Sequence, residues 1–348
     1  MIVNYGTGRP PCASAPPGFL PQTRGWSIMK IMLIPTYPEF APLEIDARDD
    51  LYPGLNLLPD GISEFTFAAL YLFRRTYGYQ VSRLSEGSLV ISGRYREKTF
   101  FYLPCCFPSL EQFDELMQRF DYMRHFSESQ ARQHRIELEA RGYLVREDRD
   151  SFDYLYDREA LANLSGRAYH KKRNLVNGFV STYSCEQRPF NRSRVPDALA
   201  VLDEWRATKG VDGDYAAARD ALEHFDVLGL RGAVYYIGRE PVGWCLGEPL
   251  AKGRMFAVHF EKACDRFKGI YQFVNQAFAQ SLPKHYQHIN REQDLGDLGL
   301  RQAKMTYRPV GFVKKYSVVH PDHANFMPAP PEPPAECGPG TIHECPGD

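Results

Sequence analysis

The sequence predicts an α/β protein, of the α+β kind, with two lobes that are each a mixed sheet flanked by helices. Short apolar runs that suit strands alternate with stretches of helical spacing through the central part of the chain. Hydrophobic residues make up 43% of the 348 residues, which is enough for a substantial core. No run of 18 or more apolar residues occurs, so no transmembrane segment is predicted.

The two ends of the chain differ from the part between them. Residues 1–30 are rich in Pro and Gly, have no apolar period, and lack the pattern of a secretory signal. Residues 321–348 are rich in Pro and of low complexity. We therefore expect a flexible N-terminal extension at 1–30, a first lobe at 31–165, a second lobe at 166–320 and a disordered tail at 321–348.

Charge and cysteine content exclude several classes of protein. The formal net charge is −1, which is not expected of a protein coated in basic surface for DNA. The eight cysteines form no CxxC pair, so neither a zinc ribbon nor a thioredoxin site is predicted. A metal at Cys337, His343 and Cys345 is a weaker alternative to a disordered tail. We expect reduced thiols, no metal, no DNA partner and a cytoplasmic location, with the inner face of a membrane as an alternative.

The first lobe begins with a helix at 63–76, for which Ser63 is the expected N-cap. A second helix, at 109–123, is capped by Ser109. The remaining elements predicted from periodicity are strands at 79–84, 88–92, 99–103, 143–146 and 152–156 and helices at 132–141 and 157–177.

The second lobe has a recognisable order of elements. We predict a strand at 179–186, helices at 196–209 and 214–225, strands at 231–237, 242–250 and 255–261, a helix at 269–282, a strand at 285–289, a helix at 300–307 and a strand at 313–318. From 196 onward this is the element order of the acyl-CoA N-acyltransferase (GNAT) fold. The first half looks like a second copy of it, although no sequence repeat is detected, so a duplicated GNAT-like fold is predicted.

A cationic cluster occupies one predicted helical span, at Arg167, His170, Lys171, Lys172 and Arg173. On a helix, Arg167, His170 and Lys171 share one face. The cluster suits the phosphates of RNA, of CoA or of a phospholipid head group. The alternative is a solvated basic face.

His259 and Glu261 form a second candidate site, because alternation places both on one face of a strand. A histidine beside a carboxylate can deprotonate an incoming amine or hydroxyl. The alternative is a strand face that meets only solvent. We take His259 and Glu261 as candidate catalytic residues.

Arg266 and Gly269 fit the pattern with which N-acyltransferases bind pyrophosphate at a helix N-terminus. Tyr271 stands where that pattern has a small residue. A bulky side chain there crowds a backbone-bound pyrophosphate, which disfavours ordinary use of acetyl-CoA.

The segment 290–304 carries a third candidate site, at the end of a predicted strand. Glu292 and Asp294 lie two residues apart, so they point the same way if the strand continues. Paired carboxylates can hold the α-ammonium group of an aminoacyl ester or serve as a base. Arg301 and Lys304 can hold a phosphate or a developing oxyanion. The alternative is a helix capped by Asp297 with both cations solvated.

Four segments of this sequence resemble the family built on the C-terminal domain of phosphatidylglycerol lysyltransferase, over about residues 43–319. They are Tyr169-His170-Lys171-Lys172-Arg173-Asn174, Phe260-Glu261-Lys262-Ala263, Asn290-Arg291-Glu292-Gln293-Asp294-Leu295-Gly296 and Gly299-Leu300-Arg301-Gln302-Ala303-Lys304. The resemblance implies a tandem N-acyltransferase-like fold with its cleft in the second copy. Characterised members move an amino acid from aminoacyl-tRNA to a phosphatidylglycerol head group. This chain is expected to lack their membrane-spanning N-terminal part.

The predicted function is transfer of an amino acid from aminoacyl-tRNA to an amine or hydroxyl acceptor, with a lipid head group among the acceptors. Glu261 or Glu292 is the expected base, and Asp294 the expected partner of the α-ammonium group. Asn290, Tyr169 and His170 are expected to contact substrate. No tightly bound cofactor is predicted. The alternatives are an N-acyltransferase that uses acyl-CoA as its donor and a non-catalytic module that binds a phosphate ligand.

Overall fold

The described residues of the computed structural model, 34–210 and 212–326, fold as two seven-stranded mixed sheets flanked by helices. The predicted N-terminal extension and the predicted tail beyond residue 326 lie outside the described residues. No helix within the described ranges has the length and apolar character needed to cross a bilayer.

The first sheet has the strand order β1-β2-β3-β4-β5-β14-β6. Its strands are β1 (Ala41–Pro42), β2 (Gln80–Arg83), β3 (Leu89–Tyr95), β4 (Lys98–Tyr102), β5 (Tyr122–Ser127), β6 (Leu144–Glu147) and β14 (Lys315–Val319). The helices of this half are α1 (Arg48–Leu55), α2 (Phe67–Tyr77), α3 (Leu110–Arg119) and α4 (Glu128–Ala140).

The second sheet has the strand order β13-β7-β12-β11-β10-β9-β8. Its strands are β7 (Asp153–Asp157), β8 (Cys185–Pro189), β9 (Arg231–Ile237), β10 (Glu240–Leu250), β11 (Met255–Ala263), β12 (His288–Asn290) and β13 (Gly311–Val313). The helices are α5 (Arg158–Asn163), α6 (His170–Thr182), α7 (Val195–Lys209), α8 (Tyr215–His224), α9 (Ile270–Ser281) and α10 (Leu298–Met305).

The two sheets share one pairing pattern. Counted from β1 and from β8, the fourth and fifth strands of each sheet are parallel, and every other neighbouring pair is antiparallel. The parallel pairs are β4 with β5 and β11 with β12. This repetition confirms the predicted duplicated GNAT-like fold.

The predicted lobe boundary at residues 165 and 166 does not separate the sheets. The chain leaves the first sheet after β6, builds the whole second sheet from β7 to β13, and returns with β14 between β5 and β6. The strand β7 therefore belongs to the second sheet and β14 to the first. Sequence periodicity identifies a strand but not the strands that pair with it, so the sheet to which β7 or β14 belongs could not be predicted.

Backbone conformation divides the helix predicted at 157–177. Leu164 has a φ of 46° and Gly166 a φ of 82°, so the chain turns between α5 and α6. The helix predicted at 109–123 ends at Arg119, because the strand β5 begins at Tyr122.

The N-cap predicted for the first helix is three residues too early. The Thr66 side chain accepts a hydrogen bond from the backbone N–H of Ala69 and caps α2. Ser63 instead lies in a short 3-10 turn and donates to Asp153 through both its backbone N–H and its hydroxyl.

A buried polar cluster joins the two sheets where the chain crosses between them. The Lys315 Nζ at the start of β14 lies 2.7 Å from Asp153 Oδ1 at the start of β7, and both side chains are fully buried. Asp153 Oδ2 also accepts from the Ser63 N–H at 2.9 Å and from Asn290 Nδ2 at 3.1 Å. One carboxylate thus holds groups from both sheets.

Asp153→Ala should destabilise the protein by about 3–5 kcal/mol, because it removes one of the two carboxylates that pair with the buried Lys315 ammonium. Urea denaturation checks the value. Glu186→Gln breaks the exposed pair with Arg188, at 2.6 Å, and should leave the unfolding free energy almost unchanged. Equal losses of unfolding free energy in the two variants would contradict the larger stabilising role assigned to Asp153.

Candidate functional site

A cavity of about 390 Å³ lies between the two sheets. Its second-sheet wall comes from β11, from the segment after β12 and from α10, and its first-sheet wall from α2, β4 and β5. The polar lining residues used below are Glu64, Arg124, His125, His259, Glu261, Arg291, Glu292 and Lys304.

His259 is held between two carboxylates. Its Nδ1 lies 2.7 Å from Glu292 Oε1, and its Nε2 lies 3.0 Å from Glu248 Oε1. Burial alone would lower the pKa of His259, but the hydrogen bonds to Glu248 and Glu292 raise it to about 10. An imidazolium has no free lone pair at neutral pH, so His259 in this state cannot be the base that the sequence suggested.

Glu261 is paired with Arg291 rather than with His259. The Arg291 Nη2 lies 3.0 Å from Glu261 Oε1, and both side chains line the cavity. The alternation argument placed Glu261 on the correct face of β11. Its partner comes from the end of β12, a neighbour that the sequence did not reveal.

Glu292 has a strained backbone, with a φ of 56°. Its N–H donates to Asn290 Oδ1 at 2.8 Å, and its carbonyl accepts from the Tyr154 N–H and from Lys304 Nζ, each at 3.1 Å. Strained non-glycine residues persist where the surroundings fix them, and they cluster at functional sites. Asn290 is fully buried and positions the Glu292 backbone, which corrects its predicted role in contacting substrate.

Asp294 and Arg301 bind each other and are not among the residues that line the cavity. The fully buried Asp294 carboxylate accepts from Arg301 Nε at 2.9 Å and from Arg301 Nη2 at 2.7 Å. Burial would raise the pKa of Asp294, but hydrogen bonds from Arg301, Tyr154 and the Gly296 N–H lower it to about 2. The pair fixes the loop after β12, so Asp294 does not present its charge to an α-ammonium group nor Arg301 to a phosphate.

Lys304 places an amine in the cavity wall. Its Nζ donates to the backbone carbonyls of Arg291 and Glu292. Burial and the nearby Arg291 charge lower the pKa of Lys304 to about 8, against the attraction of Glu292. This amine can therefore gain or lose a proton near neutral pH.

Part of the predicted cationic cluster forms a groove next to this cavity. Arg167, Lys171, Lys172 and Arg308 line a second concave site of about 840 Å³ between α6 and α10. The Lys172 Nζ lies 4.2 Å from the centre of the Tyr307 ring, and Tyr307 also lines the first cavity. The basic groove and the cavity thus share a wall.

The other members of that cluster have different partners. Arg173 donates to the carbonyls of Leu164 and Gly166 and closes the turn before α6. The buried Tyr169 donates to the Tyr307 carbonyl at 3.2 Å. His170 is exposed, with Nε2 3.5 Å from Asn174 Nδ2. These three residues are outside the lining of the cavity.

The start of α9 is covered, which weighs against the pyrophosphate site predicted there. Gly269 has a φ of 92°, and a Cβ on it would lie 2.5 Å from the Leu175 carbonyl oxygen of α6. Arg266 is paired with Glu204 and Glu240. Gly269 therefore allows two helices to pack closely, and Arg266 has carboxylates where a phosphate was expected.

Sequence reasoning missed the first-sheet wall of the cavity. Glu64 lies in the helix predicted at 63–76. Arg124 and His125 lie between the helices predicted at 109–123 and 132–141. His125 has a φ of 55°, and burial lowers its pKa well below the ordinary value, with help from Arg124 and Lys315. Burial raises the pKa of Glu64 to about 7, although Lys315 opposes the shift. His125 could have been found from the sequence only if the strand β5 had been predicted.

Asp220, Glu223 and His224 on α8 offer ligand atoms within 4.8 Å of one another. Asp220 already pairs with Arg74 at 3.0 Å, and the cluster lies outside the cavity lining. It has no part in the site described above.

Residues 55–319 match the family described as phosphatidylglycerol lysyltransferase, C-terminal. This chain belongs to that family. Members and fold relatives of known structure include a conserved protein of unknown function from Bacteroides thetaiotaomicron, which is 28% identical at a TM-score of 0.70. The match covers 81% of this chain and 99% of that one.

Two more distant structures share the fold of this family member. The C-terminal domain of a putative lysylphosphatidylglycerol synthetase from Agrobacterium fabrum has 13% identity and a TM-score of 0.54, over 80% of this chain and 93% of that one. FemX has 9% identity and a TM-score of 0.52, over 80% and 96%. An uncharacterized protein of Mycoplasmoides gallisepticum is 25% identical over 48% of this chain, and the match spans 56% of that protein's length.

His259 should remain doubly protonated well above neutral pH, and His125 should remain neutral well below it. The first has two carboxylate partners, and the second is buried beside two cations. Nitrogen-15 shifts of the imidazole rings, followed from about pH 5 to about pH 10, report both charge states. A neutral His259 at pH 7 would overturn this assignment.

The same shift links stability to pH. The folded state raises the pKa of His259 from 6.5 to about 10. The stability that protonated His259 gives to the folded state is therefore complete below about pH 6.5 and is lost as the pH rises toward about 10. The difference in unfolding free energy between the wild type and His259→Gln should shrink across that range. A difference that grows with pH would contradict the sign.

Proposed function

We propose that this protein transfers an aminoacyl group from aminoacyl-tRNA to an amine or hydroxyl acceptor in the cavity between the sheets. The observation that carries the proposal is the cluster of Glu248, His259 and Glu292, of which His259 and Glu292 line the cavity. Two carboxylates and one imidazolium give this cluster one net negative charge. An aminoacyl ester carries a positive α-ammonium group, which is the complementary charge.

Glu292 is the member of the cluster that meets the donor. Its side chain is 20% exposed, against 6% for Glu248. His259 fixes one of its oxygens, and three hydrogen bonds fix its main chain, from Asn290, Tyr154 and Lys304. A carboxylate held in this way keeps its position when the ligand arrives, which is the benefit of preorganisation.

Lys304 supplies the positive charge for the leaving group. Two of the three N–H groups of its ammonium form serve the carbonyls of Arg291 and Glu292, which leaves one for the ligand. A pKa of about 8 allows the ammonium to give a proton to the ribose oxygen and to recover one afterwards.

The groove of Arg167, Lys171, Lys172 and Arg308 suits the phosphates of the tRNA. Its position across α10 from Lys304 would bring the end of a bound strand next to the cavity. Cationic side chains neutralise phosphates without reading sequence, so the groove agrees with RNA binding but does not select one tRNA.

The family name directs the choice of acceptors for a first test. A phosphatidylglycerol lysyltransferase acts on a lipid whose head group has free hydroxyls. Phosphatidylglycerol and small primary amines are therefore the two acceptor classes to compare. The covered start of α9 supports aminoacyl-tRNA rather than acyl-CoA as the donor.

Glu292→Gln should lower the release of radiolabelled amino acid from mixed aminoacyl-tRNA by about tenfold to a hundredfold in the presence of acceptor, because the cavity loses the charge that orients the donor. Glu240→Gln makes the same chemical change at the exposed start of β10, outside the cavity, and should leave the rate unchanged. Binding of aminoacyl-tRNA without any acceptor-dependent release by the wild type would favour a non-catalytic module.

Lys171→Ala combined with Arg308→Ala should weaken binding of tRNA and reduce the slope of log affinity against log salt by about 1–2. The matched control is Arg132→Ala, whose side chain is 77% exposed on α4. Fluorescence anisotropy at several salt concentrations measures both. An unchanged salt slope in the double variant would show that the groove does not bind the tRNA phosphates.

A further inference from the structure

We infer that Glu64 and His125, on the first-sheet wall of the cavity, bind the primary ammonium group of the acceptor and that Glu64 takes its proton. The inference rests on the proposed function, since the donor is assigned to the opposite wall. It selects an amine over a hydroxyl as the acceptor. It also assigns a role to the half of the protein that carried no candidate residue in the sequence.

His125 is a buried polar side chain without a hydrogen-bond partner. It is 2% exposed, and neither ring nitrogen has a hydrogen bond to any residue within 34–210 or 212–326. Its ring stacks on Tyr102 with the centres 4.8 Å apart and an angle of 13° between planes. A buried polar group without a partner has lost its hydration and gained no hydrogen bond in return, so the position of His125 calls for a ligand.

Glu64 has one oxygen engaged and one directed to His125. Its Oε2 accepts from Lys315 Nζ. Its Oε1 lies 3.4 Å from His125 Nε2, which is too far for a good hydrogen bond. A carboxylate oxygen and an imidazole lone pair at this separation can share one ligand nitrogen that carries two or more N–H groups.

The surrounding charges allow a cation at this point. Lys315, from β14, pairs with two carboxylates, Asp153 of β7 at 2.7 Å and Glu64. Arg124, the neighbour of His125 on β5, points its Nε toward Asp148 at 4.0 Å and lies over the Tyr95 ring at 4.7 Å. The three carboxylates Glu64, Asp153 and Asp148 therefore face the two cations Lys315 and Arg124, which leaves one negative charge in excess on this wall.

The backbone of β5 is bent to present His125. A φ of 55° is unfavourable for histidine, and strained residues of this kind are kept where function requires them. Burial, Arg124 and Lys315 keep the pKa of His125 low, so the ring is neutral and offers a lone pair. The opposite wall has the reverse arrangement, a charged histidine between carboxylates.

The acid–base match favours an amine. An α-amino group has a pKa of about 7.7–8.0, close to the value of about 7 for Glu64, whereas an alcohol is a far weaker acid. The ammonium proton passes to Glu64, and the nitrogen attacks the ester carbonyl carbon. The C–N bond forms and the ester C–O bond breaks. The ribose oxygen leaves with a proton from Lys304, which receives the second proton that the attacking nitrogen loses.

The test uses the whole protein, labelled with nitrogen-15 at histidine, and ethylammonium as the probe. We expect saturable shifts of the His125 nitrogens and at least tenfold weaker effects from ethanol and from tetramethylammonium, which has no N–H. A group with a pKa of about 7 is about 10% ionised at pH 6 and about 90% at pH 8, so the affinity should rise about ninefold between them. Equal binding of ethanol, or no rise with pH, would overturn the inference.

Variants give a second arm. Glu64→Gln keeps an oxygen for Lys315 and should weaken ethylammonium binding at least tenfold, and Glu86→Gln, at an exposed turn, should not. If Glu64→Gln fails to fold, His125→Asn and the pH profile of the wild type still decide the matter. Amine binding that needs Glu64, without release from aminoacyl-tRNA, would reject the proposed function but keep the amine site. Full release to hydroxyl acceptors in Glu64→Gln would reject the amine site alone.

Discussion

The ion pair between Lys315 and Asp153 is the contact on which the rest of the molecule depends. It is fully buried, and it lies where the chain first enters the second sheet and where it finally returns to the first. Through Asn290 it also fixes Glu292, and through Lys315 it reaches Glu64. A buried pair of this kind adds little net stability but penalises every arrangement in which its partners are separated. The ion pair thereby fixes the position of one wall of the cavity relative to the other.

The cavity combines two histidines with opposite charge states. His259 is a cation because two carboxylates outweigh its burial, whereas His125 is neutral because burial and two nearby cations act in the same direction. Two substrates that both carry ammonium groups would repel each other in an apolar space. Separate carboxylate-bearing walls reduce that repulsion and keep each nitrogen in a distinct place, which suits a reaction between two amine-containing molecules.

Much of the fold could be predicted from the sequence, because alternation and helical spacing are local. The order of elements from 196 to 318 was sufficient for the GNAT-like fold, and Glu261, Glu292 and Lys304 were placed in the cavity for sound reasons. Asp294 and Arg301 were misjudged, since a sequence does not show that two charges satisfy each other. Glu64 and His125 were missed because most of the residues that line the cavity opposite them lie far along the chain, at 258–307.

The nested order of the sheets has a consequence for how the chain becomes active. The strand β14 follows all strands of the second sheet in the sequence and inserts between β5 and β6. The second sheet can pair all its strands earlier, while the first stays open along one line. Closing that gap joins residues separated by more than 160 positions, a slow step of high contact order. A growing chain can therefore complete the second-sheet wall of the cavity while the first-sheet wall is still open, so the cavity between the sheets is the last part to form.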